Sequence, residues 1–140
     1  MQVQPYLFFN GCCDEVIAFY QQALNAEVIL LMRFKDAPPG AGGTPDPAMA
    51  DKVMHATVRV GDSHVLMSDG GACSEHRAHA GFSLSLATDD VAAGQRSFNA
   101  LAEGGNVTMP FQATFWSPGF GMLVDRFGVA WMVNVQQNPA

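Results

Sequence analysis

The sequence has little charge, and positive charge is especially scarce. Charged residues make up 14% of the 140 residues, and seven Lys and Arg against thirteen Asp and Glu give a net charge of −6. Proteins that bind nucleic acid or anionic membranes use Lys and Arg to neutralise phosphates. We therefore expect neither partner, and a neutral or cationic ligand is easier to accommodate than an anionic one.

Cysteines and long apolar runs are also scarce. The three cysteines are an odd number, with Cys12 and Cys13 adjacent, and they do not suggest a disulfide framework. The start, MQVQPY, lacks the basic and apolar regions of a secretion signal. The longest apolar run, VILLM at 28–32, is far shorter than the roughly 18 residues of a membrane span. We expect a cytoplasmic protein with reduced thiols and no membrane role.

Apolar residues, in contrast, make up 49% of the chain. A chain of this length fits one domain that buries about two thirds of its unfolded surface. So apolar a composition with so few charges is typical of a protein whose surface is partly covered by an oligomer interface. The composition therefore predicts a single domain, 1–140, that forms a homo-oligomer.

One order of elements occurs twice. Each copy begins with a short strand and a helix, and three further strands follow. In the first copy Asn25 is suited to end the helix, and in the second Asp89 or Asp90 is suited to begin it. The predicted strands lie at 5–9, 26–34, 53–60 and 64–69 in the first copy, and at 82–88, from 106, 121–125 and 130–135 in the second.

These patterns predict an α+β fold of two βαβββ modules that form a curved mixed sheet around a cavity. Module one spans 1–70, a linker spans 71–80 and module two spans 81–140. Each helix covers one face of a four-stranded sheet, so the ligand is expected on the uncovered faces, between the halves. Residues 36–51 contain four prolines and three glycines; this segment is either a linker or a lid.

Five segments resemble the PhnB-like branch of the vicinal oxygen chelate superfamily, which includes glyoxalase, bleomycin-resistance and extradiol dioxygenase proteins. The segments are PYLFFNG, AFYQQAL, MHATVRVGDSHVLMSD, LAEGGNVTMP and FWSPGFGMLVDRFGVAWMVN. The resemblance covers nearly the whole chain. It implies paired βαβββ modules that usually assemble as a homodimer.

The resemblance also implies where a metal would bind. Enzymes of this superfamily usually hold a divalent metal through one side chain from the first and last strand of each module. In this sequence those positions fall on Gln4 or Pro5, Ser68 or Asp69, Phe82 or Ser83, and Trp131 or Met132. Only Asp69 is an ordinary ligand for such a metal. We therefore expect no metal site and no other cofactor.

Strand alternation predicts which residues meet a ligand. In VMHATVRV the apolar face is Met54, Ala56, Val58 and Val60, which leaves His55, Thr57 and Arg59 for the cavity or solvent. If the more apolar residues of module two face its helix, the cavity receives Ser83, Ser85, Met132 and Asn134. Phe115, Trp116, Phe120 and Trp131 either stack on a ligand or pack in the protein. The predicted ligand-binding residues are Tyr6, Phe8, Arg59, Ser83, Ser85, Phe115, Trp116, Phe120, Met132 and Asn134.

His55 and Asp69 are the candidate catalytic residues. The imidazole of His55 titrates near neutral pH, and it could pair with Asp69 or polarise a ligand carbonyl; a structural role for His55 is the alternative. The helix dipole could make Cys12 or Cys13 nucleophilic, although we expect ordinary helix-start residues. His76 and His79 are expected in a solvated linker, and Asp125 in a turn closed by Gly128.

The leading hypothesis is a small-molecule binding protein with an aromatic-lined cavity and no metal. One alternative is a drug-sequestering protein like the bleomycin-resistance proteins. Another is a metal-dependent lyase, isomerase or dioxygenase that uses displaced ligands such as His55 and Asp69. The sequence leaves catalysis open. A methyltransferase activity has no support, because the chain lacks the βαβ order and the glycine-rich loop suited to an adenosyl cofactor.

Overall fold

The computed structural model describes residues 1–37, 47–70 and 79–136. It divides into two compact units, Met1–His76 and Arg77–Ala140. Each unit contains one βαβββ module, which confirms the predicted two-module α+β fold. Module one consists of β1 (Tyr6–Phe8), α1 (Cys13–Leu24), β2 (Glu27–Arg33), β3 (Val53–Val60) and β4 (Ser63–Ser68). Module two consists of β5 (Leu84–Thr88), α2 (Val91–Ala102), β6 (Asn106–Gln112), β7 (Phe120–Val124) and β8 (Ala130–Val135).

The two sheets have the same topology. The strand order is β1-β4-β3-β2 in module one and β5-β8-β7-β6 in module two. In each sheet the first strand pairs with the last in parallel, and the remaining neighbours are antiparallel. The repeat seen in the sequence is therefore a structural repeat of two mixed four-stranded sheets.

Helix α1 packs its apolar stripe on one face of the first sheet. Val16 and Tyr20 of the helix are 0% and 1% exposed, and Ala56, Val58 and Met67 of the sheet are fully buried. Full burial of side chains of this size contributes roughly 1.5–3 kcal/mol each. This apolar contact determines which face of the sheet is covered.

The ends of both helices follow the sequence signals. Asn25 ends α1 in the left-handed conformation, with φ 54°, and its backbone N–H donates to the Tyr20 carbonyl. Asp90 begins α2, and its carboxylate accepts from the N–H of Ala92 at 3.2 Å. Gly104, with φ 77°, turns the chain after α2. Of the two residues suggested for the start of α2, Asp90 is therefore the cap.

Helix α2 approaches the second sheet closely at Gly121. A Cβ atom at Gly121 would lie 2.6 Å from Cε2 of Phe98 on the helix, which is closer than real contacts allow. Phe98 and Leu101 are buried there against the sheet, together with Trp131 and Val133 of β8. The absence of a side chain at Gly121 thus lets α2 lie against β7.

The burial at the start of β3 differs from the predicted alternation at Val53 and Met54. A register shift between Met32 and Arg33 pairs Arg33 with Val53. As a result Val53 is fully buried while Met54 is half-buried, so Val53 rather than Met54 begins the buried set.

One-turn 3₁₀ helices, Phe34–Asp36 and Pro47–Met49, lie at the borders of the proline-rich segment. Its centre, 38–46, lies outside the described residues, and so does most of the predicted linker.

Both helices have twelve residues. Within the described ranges, no helix combines the length and the apolar character needed to cross a membrane.

Candidate functional site

Module one has a sheet face that α1 does not cover, which we call the open face of module one. The pairing register places Tyr6 beside Leu66 and Leu66 beside Thr57 on this face. Phe8 pairs with Ser68, and His55 with Met32. The open face of module one consists of Tyr6, Phe8, Leu30, Met32, His55, Thr57, Arg59, His64, Leu66 and Ser68. Of the residues predicted for ligand binding or catalysis, it brings together Tyr6, Phe8, His55 and Arg59.

Three polar side chains form a network on this face. The Tyr6 hydroxyl lies 2.9 Å from Nδ1 of His55, and Nε2 of His55 lies 3.2 Å from Oγ1 of Thr57. The Tyr6 ring stacks on Phe8, with ring centroids 4.8 Å apart and 21° between the planes. Burial raises the pKa of the Tyr6 phenol, so this phenol is protonated at neutral pH. The network therefore pairs a neutral phenol with an imidazole.

Arg59 has a partner within the sheet. Its guanidinium forms an ion pair with the carboxylate of Glu27 on the neighbouring edge strand β2. His64 on β4 is the residue that pairs with Arg59. The distance from Nδ1 of His64 to Nε2 of Gln4 is 3.4 Å. The fixed positive charge of this face is thus already opposed by a carboxylate.

Asp69, the second predicted catalytic residue, forms its hydrogen bonds with residues other than His55. It is 5% exposed. Its Oδ1 accepts from the N–H of Cys13 at 2.9 Å, and its Oδ2 accepts from the N–H of Val53 at 3.0 Å. Both carboxylate oxygens therefore hold backbone groups, and they connect the start of α1 to the start of β3.

The pKa values of both thiols near Asp69 are raised. Burial, followed by the negative charges of Asp69 and Glu15, raises the pKa of Cys12. Burial and the charges of Asp69 and Asp14 raise the pKa of Cys13 well above its usual range. Both effects disfavour the thiolate, so they favour the expectation of ordinary helix-start residues at this position.

Module two has a corresponding uncovered face, the open face of module two. Ser85 pairs with Met132, and Met132 with Met122; Asn134 pairs with Phe120. Trp131 and Val133, which alternate with Met132 and Asn134, are buried toward α2. The open face of module two therefore consists of Ser85, Ala87, Phe120, Met122, Met132 and Asn134. Ser83 precedes β5 and is half-buried.

An aromatic cluster adjoins this second open face. Phe115 is 97% exposed and Trp116 is 49% exposed. The Trp116 ring meets Phe120 edge-on, with centroids 5.4 Å apart, and Phe115 meets Trp116 at 4.8 Å. We call Phe115, Trp116 and Phe120 the aromatic cluster. Three of the four aromatic residues considered for stacking on a ligand are therefore adjacent.

Asn134, which pairs with Phe120, has a polar atom without a partner. Its Oδ1 is shielded from solvent, and no hydrogen-bond donor of the described chain reaches it. A shielded amide oxygen without a donor is costly, by about 1–3 kcal/mol. Such an atom is unusual in a protein interior and more common where a ligand or another chain completes the site.

Trp131, in contrast, belongs to the core and cannot stack on a ligand. It is 4% exposed, and its Nε1 donates to Oδ2 of Asp125 at 2.9 Å. Oδ1 of Asp125 accepts from the N–H groups of Phe127 and Val129. Gly128 closes the turn with φ 84°. The predicted turn role of Asp125 and Gly128 is confirmed, and the stacking role suggested for Trp131 is wrong.

The residues at the superfamily's metal positions do not fit a metal. Asp69 uses both oxygens on backbone N–H groups, Trp131 is in the core, and Met132 is a thioether. In the described part of the chain, no three His, Cys, Asp or Glu residues come close enough to hold a metal ion. A hard divalent cation requires several oxygen or imidazole ligands, which this donor set does not supply.

Some contacts near the site were missed in the sequence. Thr57 was placed on the correct face but was not identified as a partner of His55. Arg33 binds Asp14 through both guanidinium NH2 groups, and it also donates to the carbonyl of Asp51. Lys52 donates to the carbonyl of Gly11. The sequence gives one indication of these contacts, which is that oppositely charged residues such as Arg33 and Asp51 lie near the two ends of the proline-rich segment.

Two βαβββ modules, each with a helix on one sheet face and an uncovered opposite face, give the fold that the resemblance to the vicinal oxygen chelate superfamily implies. The model of the family described as 3-demethylubiquinone-9 3-methyltransferase matches residues 1–134. The chain belongs to this family, and the resemblance to its PhnB-like members is confirmed.

Three relatives show how far the similarity extends. Protein YjdN of Escherichia coli is 39% identical over 99% of both chains. The crystal structure of protein PA1353 from Pseudomonas aeruginosa is 43% identical, with a TM-score of 0.87 over 99% of both chains. The PhnB protein from Bacillus cereus, described as a putative 3-demethylubiquinone-9 3-methyltransferase, is 23% identical. Its TM-score is 0.75, over 96% of this chain and 99% of that one, and it shows the fold alone.

Proposed function

We propose that the protein binds a small organic molecule against the aromatic residues of an open sheet face, without the metal that enzymes of the superfamily use. The aromatic cluster beside Asn134 carries this proposal. Exposed rings next to an amide oxygen without a donor combine an apolar surface with an unmet hydrogen bond. Small-molecule sites typically have this composition: mostly apolar, with a few polar groups that orient the ligand.

The charge of the site limits the ligand. The polar groups of the two open faces are mainly hydroxyl, amide and imidazole groups, and Arg59 is paired with Glu27. The chain carries a net charge of −6. An anionic ligand would meet a repulsive field and no free guanidinium on these faces. A neutral or cationic planar molecule is therefore the proposed ligand.

The two candidate catalytic residues have different places in this proposal. His55 is half-buried on the open face of module one, where it is within hydrogen-bond distance of the Tyr6 hydroxyl, and we assign it to the ligand site of that face. Asp69 is buried and bonded to two backbone N–H groups, and we assign it a structural role. Ser83, Ser85 and Met132 are proposed to border a ligand on the open face of module two, and Arg59 a ligand on the open face of module one.

The methyltransferase activity in the family's description is not favoured by the fold. The strands that flank α1, β1 and β2, lie at opposite edges of the sheet. Adenosyl and dinucleotide cofactors typically bind where a helix connects neighbouring parallel strands.

Drug sequestration differs from our proposal only in the size and charge of the ligand. A titration with a cationic ligand tests this alternative.

Intrinsic fluorescence tests the proposal, because the two tryptophans differ. Trp116 is half-exposed in the aromatic cluster, and Trp131 is buried beside Asp125. Titration with acetophenone, phenol, benzyltrimethylammonium and benzoate should produce a saturable change in Trp116 emission for the neutral or cationic probes, and a weaker change for benzoate. The Trp116→Phe variant, which keeps only Trp131, should lose this signal.

The control for affinity is an exposed apolar residue away from the cluster. Val91 begins α2 and is 44% exposed. We expect Phe120→Ala to weaken binding of the best probe about tenfold, as loss of an aromatic contact does, and Val91→Ala to leave it unchanged. The proposal fails if none of the four probes binds saturably to the unmodified protein.

We also propose a homodimer in the cytoplasm. The edge strands β2 and β6 support a dimer, because their apolar side chains are exposed: Val28, Ile29, Leu30 and Met32 in β2, and Val107 and Met109 in β6. Uncovered apolar edges are usually protected by a partner. The free thiols of Cys12 and Cys13 support a reducing compartment. Sedimentation should give twice 15.0 kDa; a single 15.0 kDa species across concentrations would exclude the dimer.

A further inference from the structure

The number of hydrogen-bond donors and acceptors in the Tyr6–His55–Thr57 network indicates which kind of ligand the network can bind. Tyr6 on β1 and Thr57 on β3 both pair with Leu66 of the intervening strand β4. The phenol therefore reaches across β4 to meet Nδ1 of His55, while Thr57 meets Nε2 from the same strand as His55. The two ring nitrogens of His55 are thus both occupied, each by a hydroxyl group.

A neutral imidazole has one N–H donor and one acceptor nitrogen, and each hydroxyl has one hydrogen. The network therefore contains three polar hydrogens and two internal hydrogen bonds. If Tyr6 donates to Nδ1, Nε2–H donates to Thr57, and the Thr57 hydrogen is left over. If Thr57 donates to Nε2, Nδ1–H donates to Tyr6, and the Tyr6 hydrogen is left over. Either tautomer of His55 leaves one donor without an internal acceptor.

The burial of the three groups determines where that donor is available. Tyr6 is 39% exposed, whereas His55 and Thr57 are half-buried. Ser68, whose side-chain hydrogen bond to the phenol lowers the phenol's pKa against the larger effect of burial, is also engaged with Gly70. The Ser68 hydroxyl donates to the Gly70 carbonyl at 3.3 Å and accepts from its N–H at 3.0 Å. The remaining hydrogen is therefore best presented to a ligand by Tyr6, with His55 protonated on Nδ1.

We propose that Tyr6, positioned by His55 and Thr57, donates a hydrogen bond to the carbonyl oxygen of a neutral planar ligand whose ring lies beside Phe8. The inference rests on the proposed ligand binding and specifies the class of ligand. Phe8 is 49% exposed and stacks on Tyr6, so it extends the apolar surface next to the donor. A carboxylate is less suitable because the charged partner on this face, Arg59, is already paired with Glu27.

Binding of such a ligand has a consequence that apolar contact alone does not produce. When the ligand oxygen accepts from Tyr6, the Tyr6 oxygen becomes the acceptor for Nδ1–H of His55, and Thr57 donates to Nε2. The ligand thus selects one tautomer of an imidazole that it does not need to touch. Because the two tautomers differ strongly in their ¹⁵N shifts, the position of the proton can be measured directly.

The test compares two probes of the same shape, acetophenone and ethylbenzene, which differ by a carbonyl in place of a methylene. The protein is labelled with ¹⁵N-imidazole, and the His55 resonances are assigned among the four histidines with His55→Gln. We expect acetophenone to bind about tenfold more tightly than ethylbenzene, as one added hydrogen bond allows. Acetophenone alone should shift His55 to the Nδ1–H form.

Two variants separate the donor from its positioning group. Tyr6→Phe should bring the affinities of the two probes to within about twofold of each other, because the donor is lost. Thr57→Val keeps the shape but removes the hydroxyl that donates to Nε2, so it should reduce the preference for acetophenone while Tyr6 remains in place. Phe8→Leu, the control, should weaken both probes by a similar factor.

The outcomes distinguish this inference from the proposed function. If both probes bind with equal affinity and the His55 tautomer does not change, ligand binding stands and the donor role of Tyr6 is wrong. If neither probe binds saturably by fluorescence or chemical shift, the donor role of Tyr6 is wrong, and the proposed ligand binding is overturned as well only if phenol, benzyltrimethylammonium and benzoate also fail to bind. A preference for acetophenone that is lost in Tyr6→Phe, with the expected His55 shift in the unmodified protein, supports the inference.

Discussion

The carboxylate of Asp125 accepts a hydrogen bond from Nε1 of Trp131 at 2.9 Å, and the two residues are 3% and 4% exposed. The same carboxylate accepts from the N–H groups of Phe127 and Val129 in the turn between β7 and β8. One buried carboxylate thus joins this turn to the indole of the last strand. A buried carboxylate requires such donors, because its charge is costly to remove from water.

We expect Trp131→Phe to destabilise the protein by about 2–4 kcal/mol. The change removes one donor from a buried carboxylate and leaves a smaller ring in a packed core. Urea unfolding monitored by circular dichroism measures the loss. Trp116→Phe makes the same substitution at a half-exposed ring and should change stability by less than about 0.5 kcal/mol. Equal effects of the two substitutions would show that the Asp125 contact is not stabilising.

Local pattern was sufficient to predict most of the fold. The final strand was predicted at 130–135 and is Ala130–Val135, because apolar and polar residues alternate after the clear turn at Asp125 and Gly128. The same alternation correctly directed Met132 and Asn134 away from α2. It could not show that Trp131 is a core residue rather than a ligand contact, because both roles suit a large ring with one polar atom.

The contacts of the site depend on register between distant strands. Tyr6 meets His55 across β4, 49 residues along the chain, and no local pattern fixes which residues of β1, β4 and β3 lie side by side. Asp69 similarly joins Cys13 to Val53, three residues that meet only when the helix and the sheet are assembled. An Asp at the end of a strand is equally suitable as a metal ligand or as a structural acceptor, so composition alone could not separate these roles.

We expect Asp69→Asn to cost about 2–3 kcal/mol of stability. The amide keeps one acceptor oxygen but directs an NH2 group at the other backbone N–H, which leaves a buried donor unpaired. Asp62→Asn is the matched control, since Asp62 is exposed in the turn between β3 and β4. Asp62→Asn should change stability by less than about 0.5 kcal/mol.

The same pair of variants tests the metal-dependent alternative. Elemental analysis of protein purified without chelator should give the same metal content for the unmodified protein and for Asp69→Asn. If the unmodified protein contains stoichiometric metal that Asp69→Asn loses, without a loss of stability, Asp69 is a ligand and its structural assignment is wrong.

Cys13 should resist alkylation in the folded protein. It is fully buried, and burial together with Asp69 and Asp14 raises the pKa of its thiol, so the reactive thiolate is scarce even in mildly alkaline solution. We expect iodoacetamide at pH 8 to modify Cys13 at least about tenfold more slowly in native protein than in urea-unfolded protein. Peptide mass spectrometry resolves the site. Rapid modification of Cys13 under native conditions would show that the start of α1 opens readily.

Asp14 should contribute stability that depends on pH. Its hydrogen bonds to Arg33 lower its pKa below the usual value. A carboxyl whose pKa is lower in the folded state stabilises that state above its unfolded pKa of about 3.9, and this contribution is lost as pH falls through the folded pKa. Because Asp14 is 49% exposed, the contribution is discounted for solvent screening to about 0.5–1 kcal/mol.

We therefore expect Asp14→Asn to be less stable than the unmodified protein at pH 7 by this amount, and the difference to disappear as pH falls through the lowered pKa of Asp14. Glu15→Gln is the matched control, because Glu15 lies in the same first turn of α1 and carries the same charge near the helix dipole. Urea unfolding at a series of pH values measures both variants. If Glu15→Gln loses as much stability as Asp14→Asn over the same pH range, the effect arises from the helix dipole and not from the ion pair with Arg33.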